Sequence, residues 1–160
     1  MRPPRLAGFD YLGGYRYFVT CCTLRREAIF VERALVEAVR SQILRSAELY
    51  GFVVLAYVFM PDHIHLLVQG NREDSNFRLF MRNWRKRATL KIRTMGRPAI
   101  WQESYQERVL RGEDGTTSVI AYILNNPVRA GLVEDPMAYP YGWSVATHDP
   151  GASKPEAPHV

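Results

Sequence analysis

The sequence has no hydrophobic run long enough to cross a bilayer. Its longest, residues 52–61, falls far short of the roughly 20 residues that a membrane helix needs. Cysteine is scarce, with only Cys21 and Cys22, and the two are adjacent. Neighbours on a strand point to opposite faces, so this pair is poorly placed to bridge itself. Buried, reduced thiols in a cytoplasmic protein are therefore expected. The N-terminus carries two arginines with no apolar segment behind them, so no signal peptide is expected. No internal repeat or low-complexity block occurs. Acidic residues are nearly missing from one segment. Residues 72–97 hold nine Arg or Lys against two acids, a net of +7, leaving −2 for the rest of a chain whose total is +5.

What is present is an ordinary globular composition. A chain of 160 residues, 47% apolar and 23% charged, fits one domain with a real core. The concentrated positive charge has two readings. One is a polyanionic partner, of which nucleic acid is the commonest; the other is a solvated helix face.

Periodicity orders the elements. The β-branched and aromatic stretch 15–25 predicts a strand. Leu35, Val36, Val39, Ile43, Ala47 and Tyr50 recur at helical spacing, and Gly51 follows as a stop. Residues 52–59 read as a buried strand, Pro61 and Asp62 as a turn, and 63–68 as the returning strand. The basic segment predicts a helix with Phe77, Phe80, Trp84 and Ala88 as its apolar stripe. Its candidate nucleic-acid contacts are Arg78, Arg82, Arg85, Lys86 and Arg87, with Arg129 further along the chain. Residues 99–111 read as extended, as one or two short strands. Thr116 or Thr117 is the expected cap of a last helix running to about Asn125, because Pro127 opposes continuation. The Pro-, Gly- and Ala-rich residues 148–160 are expected to form a disordered tail after a single domain over 1–147. The hairpin at 52–68 forces antiparallel pairing. The fold class is therefore α+β, with a central antiparallel sheet flanked by helices.

Two features carry chemistry. His63 and His65 stand one residue apart in "MPDHIHLLV". On a strand, i and i+2 share a face about 6.5–7 Å apart, so both imidazoles can converge on one metal ion while Ile64 and Leu66 face the core. Half-buried structural histidines are the alternative, and two ligands do not complete a site. In "TTSVIAYILNNPVRAGL", Val119, Ile120 and Ile123 form an apolar stripe. Ser118, Tyr122 and Asn126 recur on the neighbouring face. Here the alternative is that Tyr122 is amphipathic packing and Asn126 a helix cap. A metal on the histidines, a helix-borne tyrosine and a basic helix together suit phosphoryl transfer to a phenol.

"MPDHIHLLV" resembles the His-hydrophobic-His motif of the HUH single-strand nucleases. "AYILNNPVRAGLVE" is similar to the C-terminal signature of their single-tyrosine transposases, and "FVTCCTLRREAIF" and "IWQESYQERVLR" follow the same pattern. The branch most resembled is the REP-associated tyrosine transposases, over roughly residues 10–146. The resemblance implies a ferredoxin-like or RRM-like antiparallel palm. It makes His63 and His65 metal ligands, Tyr122 the nucleophile and Asn126 a third ligand, shorter than the Gln often found there. It implies Mg2+ or Mn2+, although Mg2+ prefers oxygen donors and imidazoles suit Mn2+ or Zn2+ equally. The implied activity is that of a DNA transposase and endonuclease. It would nick and rejoin single-stranded DNA beside palindromic hairpins through a 5′-phosphotyrosine link, in the bacterial cytoplasm at the nucleoid, as a monomer or homodimer.

Two other readings compete with it. One is a protein of the same fold that binds hairpins without chemistry. The other is an unrelated metal enzyme. A cupin would want a Glu where Gln69 and Gly70 stand, and a histidine-triad hydrolase would want a third His at Leu67.

Overall fold

The computed structural model describes residues 6–147, and the expected tail lies outside them. Five strands and three α-helices follow one another along the chain. They are β1 (Arg16–Cys22), α1 (Arg33–Tyr50), β2 (Phe52–Met60), β3 (His63–Gly70), α2 (Phe77–Arg93), β4 (Gln106–Leu110), α3 (Glu113–Arg129) and β5 (Gly142–Ser144). The strands form one sheet in the order β4-β1-β3-β2-β5, antiparallel throughout. Three strands, β1, β3 and β2, are therefore flanked on both sides, with β3 at the centre. Among the described residues, no helix is long and apolar enough to cross a membrane.

Alternation along the strands gives the sheet two different faces. Tyr17, Val19 and Cys21 of β1 and Ile64, Leu66 and Val68 of β3 point toward α1 and α2. There they meet Val39 and Ile43 of α1 and Phe77, Phe80, Trp84, Ala88 and Ile92 of α2. Leu67 points the other way, toward Val119 and Ile123 of α3, with Ala56, Val58 and Met60 of β2. The register of β2 shifts between Val54 and Ala56. That irregularity moves the inward set from Phe52 and Val54 to Tyr57 and Phe59, so both halves of the strand serve the same core.

Several expected elements are changed by their surroundings. Helix α1 has the predicted bounds because Gly51 takes a left-handed φ of 73° and closes it. The first strand stops at Cys22, where the chain turns through a short 3-10 segment, Leu24–Arg26. Residues 99–111 supply one strand, β4, and an isolated bridge between Thr23 and Trp101. Helix α3 begins at Glu113, not at a Thr116 or Thr117 cap, and Thr116 instead accepts a hydrogen bond from Arg16 of β1. Nor does α3 stop before Pro127, which lies inside the last turn. A proline there removes one backbone donor and keeps a helical φ, while Ala130 and Leu132 donate to Asn126 and Pro127 to close the end. Both cysteines are free, and only Cys21 is fully buried.

Candidate active site

The antiparallel pairing of β1 with β3 sets Cys22 opposite His63 and Thr20 opposite His65. These four side chains share the face that α3 covers. The two imidazole rings lie with centroids 4.8 Å apart at 79°. Helix α3 crosses at the level of His65 and brings Tyr122 to it, with ring centroids 5.5 Å apart. Asn126 stands one turn further on along the same helix, beside the His65 ring. Its amide nitrogen donates to the Tyr122 carbonyl at 3.1 Å. The Arg129 guanidinium lies over the Tyr122 ring at 5.1 Å. Phe18 of β1 supports the group from the side, 5.4 Å from His65 and 5.9 Å from Tyr122.

Each histidine is held through Nδ1. His65 Nδ1 lies 2.9 Å from the Thr20 hydroxyl, and His63 Nδ1 lies 2.7 Å from an Asp62 oxygen. Partners on Nδ1 orient the rings and leave Nε2 as the atom that can ligate. Burial pushes the His65 pKa down to about 4, with His63 adding to the effect and Asn126 opposing it. His65 is thus neutral near pH 7, as a metal ligand must be. Burial also works against ionisation of Asp62, but the hydrogen bond with His63 and the nearby Arg26 outweigh it and hold the carboxyl below its ordinary range.

Among the described residues, no group of three or more His, Cys, Asp or Glu could close around a metal. The side chains that could supply donors are the two adjoining imidazoles and the amide of Asn126 beside them. That set fits a divalent ion with positions left for phosphate oxygens and water, as a catalytic site requires. Tyr122 is 41% exposed, so the residue is within reach of solvent.

The arginines of α2 are elsewhere. The helix packs on the opposite face of the sheet from α3, so Arg78, Arg82, Lys86 and Arg87 are exposed but do not approach the histidines. Arg85 departs from the expectation of a free phosphate contact. Its guanidinium donates to the Gln102 carbonyl at 2.7 Å and lies over the Trp101 and Tyr105 rings. It pins the 99–105 segment to α2 and is already engaged in the fold. Of the basic candidates, only Arg129 reaches the tyrosine.

Thr20, Arg26 and Phe18 are the participants that sequence reasoning missed. Asp62 was visible only as a turn residue. Its position next to His63 was the available signal, whereas Thr20 is identified only by strand register.

A family model described as "Transposase IS200 like" matches residues 12–126. A Haemophilus influenzae protein described as a candidate REP-associated tyrosine transposase is 32% identical over 143 residues, covering 82% of this chain and 81% of the relative. A REP-associated tyrosine transposase of Escherichia coli K12 is 25% identical over 129 residues, covering 81% and 75%. Among solved structures, a REP-associated tyrosine transposase bound to a REP hairpin superposes with a TM-score of 0.74 at 24% identity, covering 89% of this chain and 82% of that one. A candidate transposase from Deinococcus radiodurans gives a TM-score of 0.53 at 20% identity, covering 78% and 97%. At these identities the structural matches establish the shared fold.

Proposed function

The chain belongs to the IS200-like transposase family, and from that premise we propose that it nicks and rejoins single-stranded DNA beside hairpins, with Tyr122 as the covalent nucleophile. The observation that carries this reading is the convergence, from two elements distant in sequence, of His63, His65, Tyr122 and Asn126 on one sheet face.

The Tyr122 phenol gives up its proton as its oxygen forms a bond to the scissile phosphorus and the bond to the 3′ oxygen breaks. The leaving oxygen gains a proton and becomes a free 3′-OH, while the phosphate stays on the tyrosine through its 5′ side. The link keeps the phosphodiester's energy, so a later 3′-OH can attack it, restore the strand and release Tyr122. A phenol is ordinarily protonated at neutral pH. The Arg129 guanidinium lies over the ring of the attacking residue, where its charge would face the transferring phosphate. His63, His65 and Asn126 would hold Mg2+ or Mn2+, which supplies positive charge to the phosphate oxygens. Of these two ions, histidine ligation suits Mn2+ better than the oxygen-preferring Mg2+.

The partner in this reading is single-stranded DNA bearing a hairpin, as in the solved relative bound to a REP hairpin. Arg78, Arg82, Lys86 and Arg87 supply phosphate contacts on the far side of the sheet, and Arg129 supplies one at the site. The protein would work in the bacterial cytoplasm at the nucleoid, as a monomer or homodimer.

Labelled hairpin single strands incubated with Mn2+ should give a denaturation-resistant adduct that maps to Tyr122. Tight binding with no adduct would replace the enzyme with a hairpin-binding protein of the same fold.

A further inference from the structure

The two histidines are held by chemically different partners. Asp62 accepts at His63 Nδ1 and, through its other carboxylate oxygen, from Arg26 Nε at 2.9 Å. Its backbone carbonyl accepts from both the amide and the hydroxyl of Thr23, each at 3.0 Å. The turn before β3 is thus fixed from the segment after β1. Arg25 and Arg26 take left-handed φ angles of 54° and 57° there. Such angles are uncommon for residues with a side chain, and they persist only where the surroundings impose them. The other arm of Arg26 rests on the Cys22 sulfur at 2.7 Å.

An ionised carboxylate has no proton to give, so the proton in the Asp62–His63 bond belongs to Nδ1. On a neutral ring that leaves the lone pair on Nε2. His65 is different, because the Thr20 hydroxyl can donate or accept. That partner therefore fixes neither tautomer of His65. To ligate through Nε2 the ring must carry its proton on Nδ1 with Thr20 accepting; from the other tautomer, the proton leaves Nε2, Nδ1 gains one, and Thr20 turns from donor to acceptor. The proton count of the ring is unchanged.

We propose that Arg26 and Asp62 are positioning residues that lock His63 with its Nε2 lone pair free before an ion arrives, whereas Thr20 is a hydroxyl rotor that lets His65 change tautomer when it does. This rests on the proposed metal site, but its test does not require cleavage.

Long-range nitrogen–proton NMR of the metal-free, full-length protein should show His63 as the Nδ1–H tautomer and His65 as a mixture of both tautomers. Adding diamagnetic Zn2+ should move His65 to Nδ1–H and leave His63 in its tautomer. Asp62→Ala should mix the His63 tautomers and weaken Mn2+ binding, followed by calorimetry, about 10- to 100-fold. Asp62→Asn keeps an acceptor and should fall between. Arg26→Gln, at an exposed position, should loosen the lock with a smaller loss of affinity. Thr20→Val should hinder only the His65 change. Finding His63 as Nε2–H in the wild type, or an unchanged His63 tautomer and Mn2+ affinity in Asp62→Ala, would overturn the proposal. If the NMR pattern holds and no adduct ever forms, the nicking reading fails while this one stands.

Discussion

The two faces of the sheet use the same strands differently. On the α1–α2 face, Tyr17 stacks on Phe77 with centroids 3.9 Å apart, Phe52 meets Phe80 at 4.9 Å, and Trp84 meets Trp101 edge-on at 5.4 Å. Trp84, Phe77 and Phe80 are wholly excluded from water. On the α3 face, an apolar patch of Val119, Ile123 and Leu67 gives way to Thr20, His63, His65 and Asn126. The first face holds the fold together by burying aromatic area. The second leaves polar groups at a partly open edge, each held by a hydrogen bond, where a substrate can reach them. On the proposed function, stability and chemistry should therefore be separable by mutation.

The sharpest test of that separation is Tyr122→Phe. It removes one oxygen from a side chain 41% exposed. It should abolish the covalent adduct while changing the unfolding free energy by no more than about 0.5 kcal/mol. A persisting adduct, or one mapped to Tyr105, Tyr139 or Tyr141, would move the nucleophile elsewhere. His63→Ala should likewise abolish nicking yet leave most hairpin affinity, since charge on the transferring phosphate is worth more in the transition state than in the bound strand. Nicking at the wild-type rate by the double histidine variant would remove the metal site.

The opposite outcome is expected across the sheet. Trp84→Ala should lower stability by about 3–5 kcal/mol, read as a shift in the urea midpoint. Molecules that remain folded should still form the Tyr122 adduct.

His65 should add a smaller, pH-dependent effect. Its folded pKa is about 4 against an ordinary 6.5. Between those values the unfolded chain binds a proton that the folded chain does not. Stability should therefore fall as pH drops from 6.5 toward 4 and be insensitive to this group above 6.5, with a total of about 1–3 kcal/mol. His65→Gln should flatten that part of the urea-midpoint profile, and an unchanged slope would mean that His65 titrates normally.

The smallest effect is expected from the outer surface of α2. Neutralising Arg78, Arg82 and Arg87 together should reduce the log–log salt slope of DNA binding by up to about one unit per lost phosphate contact. Adduct formation on saturating DNA should persist, because these residues lie on the far side of the sheet. Arg85→Gln should instead loosen the 99–105 segment and lower stability, because its guanidinium holds the Gln102 carbonyl.

The sequence by itself determined whatever depends on neighbours in the chain. The helical spacing of apolar residues ending at Gly51 set α1, and the turn at Pro61 and Asp62 set the β2–β3 hairpin. The i, i+2 spacing put His63 and His65 on one face, and the stripe of Phe77, Phe80, Trp84 and Ala88 set the buried side of α2. The family motifs, read as an ordered set, pointed to Tyr122 and Asn126. Strand order, and with it which helix covers which face, was decided only in three dimensions. Pairing of β1 with β3 brings together residues more than forty positions apart, and no local periodicity encodes it. That pairing gave His65 its Thr20 partner, and tertiary packing set the basic helix across the sheet from the histidines, with Arg85 on Gln102. It also let α3 run through Pro127, because tertiary packing of the Val119 and Ile123 face outweighs one missing backbone hydrogen bond.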